Sequence, residues 1–167
     1  IAVLKKSRNN RKIAKGLLKQ NKNVTTVLEK TEKVSGRLRT IKTKYLAGKR
    51  TREAVYKENA CIFKFDVEKC YFSPRLAAER LEIARKCGKK DNVLVLFAGV
   101  GPYSIVIGKK AGSRVVSAEI NRIASKYALE NVELNKLENV EIIQKDVKKL
   151  KLNKKFNIIV MPRPLLK

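Results

Sequence analysis

The spacing of apolar positions changes repeatedly along this chain, and each change predicts an element. Ile13, Leu17 and Leu18 recur at helical spacing among Arg11 and several lysines, behind Asn9 and Asn10 as N-cap candidates. Asn23 to Leu28 reads as a strand and Ser35-Gly36 as a turn. Leu38 to Tyr45 is β-branched and crowded with cations, which predicts a strand with one wet face, closed by Gly48. Ala54 to Tyr56 and Cys61 to Val67 predict two more strands, and in the second Phe63, Phe65 and Val67 alternate with Lys64 and Asp66. Ser73 ahead of Pro74, followed by Leu76, Ala77, Leu81 and Ala84 as far as Gly88, predicts a capped helix.

From Asn92 the pattern is repeated strand and helix. Val93 to Leu96 is a run of branched aliphatics without alternation, as in a parallel strand covered on both faces. Gly99, Gly101 and Pro102 then turn the chain into a helix over 102–111. A strand at Arg114 to Ala118, a helix from Arg122 to Asn135 and strands at Val140 to Ile143 and Phe156 to Met161 follow. The fold class predicted is α/β: a Rossmann-like parallel sheet with right-handed crossovers and helices on both faces, preceded by a small basic α/β module. The expected division is residues 1–68 for the module and 69–167 for the sheet. The strands are too few for a complete doubly wound sheet, so the sheet is expected to be completed outside this sequence or left incomplete as a fragment.

Composition narrows the function classes. The 167 residues are 44% hydrophobic, enough for a packed core. No apolar run approaches the ~20 residues of a membrane-spanning helix, and IAVLKKSRNNRK lacks a signal peptide's order, so a cytoplasmic protein without membrane contact is expected. Cys61, Cys70 and Cys87 have no C-x-x-C spacing and there is no histidine, so no metal site is expected. Proton transfer near neutral pH then falls to a carboxylate, a lysine or a tyrosine. Lys and Arg number 40 against 15 Asp and Glu, and residues 1–60 hold 18 basic and 4 acidic side chains. A solvated lysine-rich surface accounts for such a total, whereas the segregation favours a polyanionic partner.

The glycine turn is the candidate ligand site. Free amides at the start of the following helix face a nucleotide-like ligand lying over the strand end, although G-x-G also occurs in ordinary strand-to-helix turns. A dinucleotide loop wants a third glycine where this chain has Ser104, which shifts the candidate to S-adenosylmethionine. Glu119, at the end of the next strand, is placed to accept the hydroxyls of a ribose. Asp146-Val147, after the third strand, offers an acceptor and an apolar wall to an adenine, or else a turn cap. Arg75 and Glu79 stand four apart, and an ordinary surface ion pair is one reading of them.

FAGVGPYS, Glu119 with Asn121 behind it, ENVELNKLENV and Asp146 together resemble the class I S-adenosylmethionine-dependent methyltransferases. More narrowly, GRLRT at 36–40, YLAG at 45–48, KENACIFKFDVEKC at 57–70 and YFSPRLAAER at 71–80 resemble the tRNA guanine-N1 methyltransferases of the Trm5/TYW2 family. The resemblance covers nearly the whole chain. It implies a class I methyltransferase sheet, S-adenosylmethionine as cofactor, and transfer of its methyl group to N1 of the guanosine 3′ of the anticodon. The expected partner is the anticodon stem-loop of a tRNA, and the expected state a monomer.

By the same resemblance, Glu79 is the general base that takes the N1 proton and Arg39 stabilises the charge growing on O6. Tyr71, Phe97, Gly99, Gly101, Glu119, Asp146, Val147 and Pro162 hold the cofactor, while Arg37, Arg39 and Arg75 contact RNA. The chain departs from the family at Val95, where an acid is usual, and at Pro162-Arg163-Pro164, where the family carries asparagine-leucine-proline. The family's wybutosine-pathway aminocarboxypropyl transferases, whose glycine-asparagine pair is here Arg75-Leu76, and an incomplete RNA-binding fragment are the competing readings.

Overall fold

The computed structural model describes residues 1–162, so Arg163 and Pro164 lie outside the described residues. The first unit is β1 (Ala2–Leu4), α1 (Asn10–Gln20), β2 (Thr26–Lys30) and β3 (Thr43–Gly48). β1 runs parallel to β2, and β3 antiparallel to it. β1 is too short to have an apolar period of its own, and the sequence pattern missed it. α1 buries Ala14, while Ile13, expected on its inner side, is exposed. Neither asparagine side chain caps α1. The Asn10 amide instead donates to Lys5 O at 2.7 Å and to Glu29 Oε2 at 2.6 Å, tying the helix to β2.

The strand expected at Leu38 to Tyr45 begins only at Thr43. Gly36 (φ 69°) and Arg39 (φ 54°) adopt left-handed conformations, and a single bridge joins Ser35 to Thr40, so residues 36–39 form a tight turn. Arg39 therefore sits on a turn and not on the module's sheet.

The second unit starts with an antiparallel hairpin, β4 (Glu53–Glu58) and β5 (Cys61–Asp66). Its turn residues Asn59 and Ala60 both have positive φ, the geometry that matches the twist of paired strands. A short 3₁₀ turn at Pro74–Leu76 leads into α2 (Ala77–Arg85), and Ser73 makes no side-chain cap. Next come β6 (Asn92–Leu96), α3 (Pro102–Ala111), β7 (Arg114–Glu119), α4 (Arg122–Leu134), β8 (Val140–Gln144) and β9 (Ile158–Val160). The four strands are parallel in the order β8-β7-β6-β9.

One face of this sheet presents Val93, Val95 and Val115 to a core built with Ile105, Val106 and Ile107 of α3, buried residues of α2 and α4, and Phe63 and Phe65 of the hairpin. On the other face Leu94, Leu96, Val116 and Ala118 are covered by Val147, Leu150, Leu152 and Phe156, a stretch with only one 3₁₀ turn. Helices on both faces were expected, and among the described residues α2, α3 and α4 all contribute to one. Right-handed crossovers that step β6 to β7 to β8 in a single direction leave their helices on the same side. Reversal from β8 to β9, across β6, carries the connection to the opposite side.

The hairpin joins that core through side chains that imitate a strand. Asn131 of α4 accepts from Lys64 N–H at 2.7 Å and donates to Lys64 O at 3.1 Å; Asn135, one turn on, repeats this with Ile62 at 2.9 and 2.7 Å. Two amides four apart on a helix thus satisfy the outer edge of β5, whose polar groups would otherwise be buried unpaired.

Candidate active site

The sheet order reverses at β6, and open α/β sheets hold ligands in the crevice beyond the carboxyl ends of their strands at such a reversal. The chain leaves β6 with left-handed residues at alternate positions: Phe97 (φ 57°), Gly99 (φ 58°) and Gly101 (φ 83°). A bulky aromatic in that region is strained, and such outliers gather at functional sites. At Gly101 a Cβ would also stand 3.3 Å from Ile105 Cδ1, so both backbone and packing favour glycine. Pro102 opens α3, and the buried Ser104 hydroxyl pairs with Ser117 Oγ of β7 at 2.7 Å, closing helix onto sheet where a third glycine would otherwise allow the contact.

Glu119 ends β7 beside this loop. Its oxygens accept Gly99 N–H at 2.8 Å and Asn121 N–H at 2.7 Å, which fixes the carboxylate at the rim of the crevice with lone pairs to spare. Asn121 caps α4 through its Oδ1 and donates from Nδ2 to Lys69 O at 2.8 Å, anchoring the segment before Tyr71. Asp146 and Val147 follow β8. Phe97, Gly99, Glu119, Asp146 and Val147 are thus lined up along three neighbouring strand ends.

Arg37 and Asp146, expected in different roles, form an ion pair of 2.6 Å. The Arg37 guanidinium, with Lys148 N–H donating to the same carboxylate, holds Asp146 below the ordinary carboxylate range. The next residues of the turn also reach across: Leu38 O approaches Asn121 Nδ2 at 3.5 Å, and the Arg39 guanidinium lies 4.0 Å over the Tyr71 ring. Residues 37–39 therefore touch the second unit at three separate elements. Arg39 Nε is buried with no hydrogen-bond partner among the described residues, a donor left over by the fold.

Glu79, in the first turn of α2, opens onto a cleft of about 310 Å³ that Ile83, Lys86, Cys87 and Tyr103 line on one side and Ile158 to Pro162 on the other. Its Oε1 accepts the Tyr103 hydroxyl, and no ion pair with Arg75 forms. Arg75 is exposed. Arg80, beside Glu79, is 1% exposed and paired through both Nε (2.5 Å) and Nη2 (2.7 Å) with Glu58 of the hairpin, with Ser73 O at 3.0 Å. Val95, by contrast, lies wholly inside the core. Sequence spacing held no signal for Tyr103 as a partner of Glu79, nor for the Arg80–Glu58 and Arg37–Asp146 pairs, which join residues 22 to 109 positions apart.

The family model of the "TRM5/TYW2 methyltransferase domain" matches residues 54–166. The chain belongs to the TRM5/TYW2 family. Among curated TRM5/TYW2 relatives it is 44% identical, over 81% of its length and 45% of the relative's, to the tRNA (guanine(37)-N(1))/4-demethylwyosine(37)-methyltransferase Taw22 of Nanoarchaeum equitans. To the tRNA (guanine(37)-N(1))-methyltransferase Trm5b of Pyrococcus abyssi it is 37% identical, over 92% of its length and 46% of that protein's. The solved complex of aTrm5 with tRNALeu superposes with a TM-score of 0.88 at 30% identity, covering 98% of this chain and 49% of that one. TYW2 of M. jannaschii in complex with AdoMet superposes at 0.70 and 30% identity, covering 83% and 58%. The chain spans slightly under half the length of the two curated relatives.

Proposed function

We propose that this chain carries the catalytic centre of a tRNA (guanine(37)-N1)-methyltransferase that uses S-adenosylmethionine. The observation that carries the reading is the conjunction of a strand-end crevice rimmed by Glu119 with a separate cleft into which Glu79 opens. One suits a nucleoside and the other a base. The crevice residues fit the cofactor chemically: Glu119 and Asp146 offer acceptors to ribose hydroxyls and an adenine amino group, Val147 and Phe97 apolar surface, and the loop at Gly99 close backbone approach. Bound there, S-adenosylmethionine supplies an electrophilic methyl group.

The chain's own residues then handle the proton and the charge. Glu79 takes the N1 proton of guanine, whose electron pair spreads to O6 as N1 becomes nucleophilic. Arg39, whose guanidinium stacks on Tyr71, donates to O6 as negative charge develops. Its guanidinium lies over the Tyr71 ring, in the segment that leads into α2 and so to Glu79. The surplus of cations in residues 1–60 draws in the RNA. The name of the Nanoarchaeum relative gives that protein 4-demethylwyosine as a second substrate, and the TYW2 neighbour keeps aminocarboxypropyl transfer as the alternative outcome of the test.

The test is incubation with methyl-labelled cofactor and unmodified tRNA transcripts carrying guanosine or adenosine at the position 3′ of the anticodon, with mass mapping of the product. One methyl on N1 of that guanosine, none on the adenosine transcript, and loss of at least tenfold in Glu79→Gln are expected. A product heavier by the aminocarboxypropyl group, or an unchanged rate in Glu79→Gln, overturns the reading.

A further inference from the structure

We infer that Tyr103 is a positioning residue for Glu79, coupling the helix that opens at the glycine loop to the group that takes the substrate proton. The inference rests on the reading of Glu79 given above and adds a residue to it. Tyr103 is the second residue of α3, directly after Gly101-Pro102, and only 3% of it is exposed. A phenylalanine would fill the same space between α2 and α3. The hydroxyl is the one feature of the side chain that packing does not require, and a buried phenol without a partner is costly. Its partner is Glu79 Oε1.

The direction of that hydrogen bond is settled by the surroundings. Burial, then the bond to Glu79 and its charge, push the Tyr103 ionisation far above the ordinary range, so the phenol stays protonated and donates. The charged and titratable groups around the pair are Arg80, whose guanidinium lies 5.6 Å from the Tyr103 ring, Glu58 behind it, and Lys86 and Cys87 along the cleft. β9 contributes Ile158 to Val160 and Met161 and Pro162 follow, so among the described residues the far wall of the cleft brings no titratable group. Glu79 is otherwise an exposed side chain near the start of a helix, with several rotamers open to it. With Oε1 held by Tyr103, Oε2 is the oxygen left to face the cleft and accept a proton.

Because Tyr103 follows the turn at Gly99 and Gly101, its hydroxyl ties that turn to Glu79 in addition to the packing of α3 on α2. The side chain thus holds the proton acceptor beside the loop that would carry the methyl donor.

The test is a double-mutant cycle in single-turnover methyl transfer to tRNA, with Tyr103→Phe, Glu79→Gln and the pair, alongside cofactor affinity by calorimetry and the ¹³Cζ resonance of Tyr103. Tyr103→Phe is expected to slow transfer by about tenfold to a hundredfold with cofactor affinity unchanged, and the double variant to be no slower than Glu79→Gln alone. Glu79→Gln should move the Tyr103 ¹³Cζ signal, a readout that needs no turnover and keeps the tyrosine in place. A wild-type rate in Tyr103→Phe, losses that multiply in the double variant, or a Tyr103 signal indifferent to Glu79→Gln overturns the inference. Failure of the underlying reading looks different, with Glu79→Gln itself transferring methyl at the wild-type rate.

Discussion

At the scale of single residues, the most buried ion pair among the described residues is Arg80 with Glu58. The two are 1% and 4% exposed at the side chain, so the small energies typical of surface pairs do not apply to them. Arg80 also stacks 5.1 Å from the Phe72 ring and bonds Ser73 O, so it pins the start of α2 to the hairpin. Removing one partner leaves a buried charge without compensation. Glu58→Ala is therefore expected to lower unfolding stability by ~3–5 kcal/mol in urea titration, and replacement of both residues by methionine to recover much of it. Equal losses in the single and double variants would contradict this account. YFSPRLAAER pointed to Arg80's segment on resemblance alone, but nothing in its spacing identifies Glu58, which arrives from the β4–β5 hairpin.

At the scale of elements, the stretch after β5 ties the two units together. Glu68 accepts Thr43 N–H at 2.8 Å and Thr43 Oγ1 at 2.7 Å, and pairs with Arg52 at 2.7 Å. Burial pushes its carboxyl up, but Arg52 and Thr43 together outweigh this and hold it below its ordinary value of 4.5. A depressed carboxyl stabilises the folded state above its unfolded value and loses that contribution as pH falls through the folded one. The gap in melting temperature between the wild type and Glu68→Gln is therefore expected to be full above about pH 5 and to close on further acidification. A gap that stays constant down to acid pH would remove Glu68 from this role.

We propose that the working division of the chain lies between β3 and β4 instead of at residue 68. The hairpin shares the core of the parallel sheet and is stitched to α4 by Asn131 and Asn135. Asn131→Ala should therefore destabilise the parallel-sheet unit by about 1–3 kcal/mol, because Lys64 N–H and O lose their partner in a dry site; heat denaturation would detect it. Alternation in CIFKFDV was enough to expect β5, but a strand's alternation does not say which sheet or helix will cover its edge.

At the scale of the whole molecule, the charge distribution bears on the proposed RNA partner. Arg11, Lys12, Lys15 and Lys19 are exposed on α1, and the turn at 37–39 brings Arg37 and Arg39 from the same basic unit against the second. RNA affinity is expected to fall linearly on a log–log plot against salt, and charge reversal at Lys12, Lys15 and Lys19 to flatten the slope by about one for each phosphate no longer neutralised. Equal slopes would exclude α1 from the RNA face.

The sequence by itself determined the alternation of strands and helices, the glycine turn and the family, because these depend on local periodicity, backbone preference and contiguous motifs. Periodicity was already enough to expect Val93 to Leu96 as a buried strand, and Gly99 and Gly101 as its turn. Tertiary contacts alone fix that Arg39 lies over Tyr71, that Asp146 is held by Arg37, and that Tyr103 reaches Glu79. Each of those contacts joins residues far apart in the chain, where spacing carries no information and the order of the strands sets who meets whom.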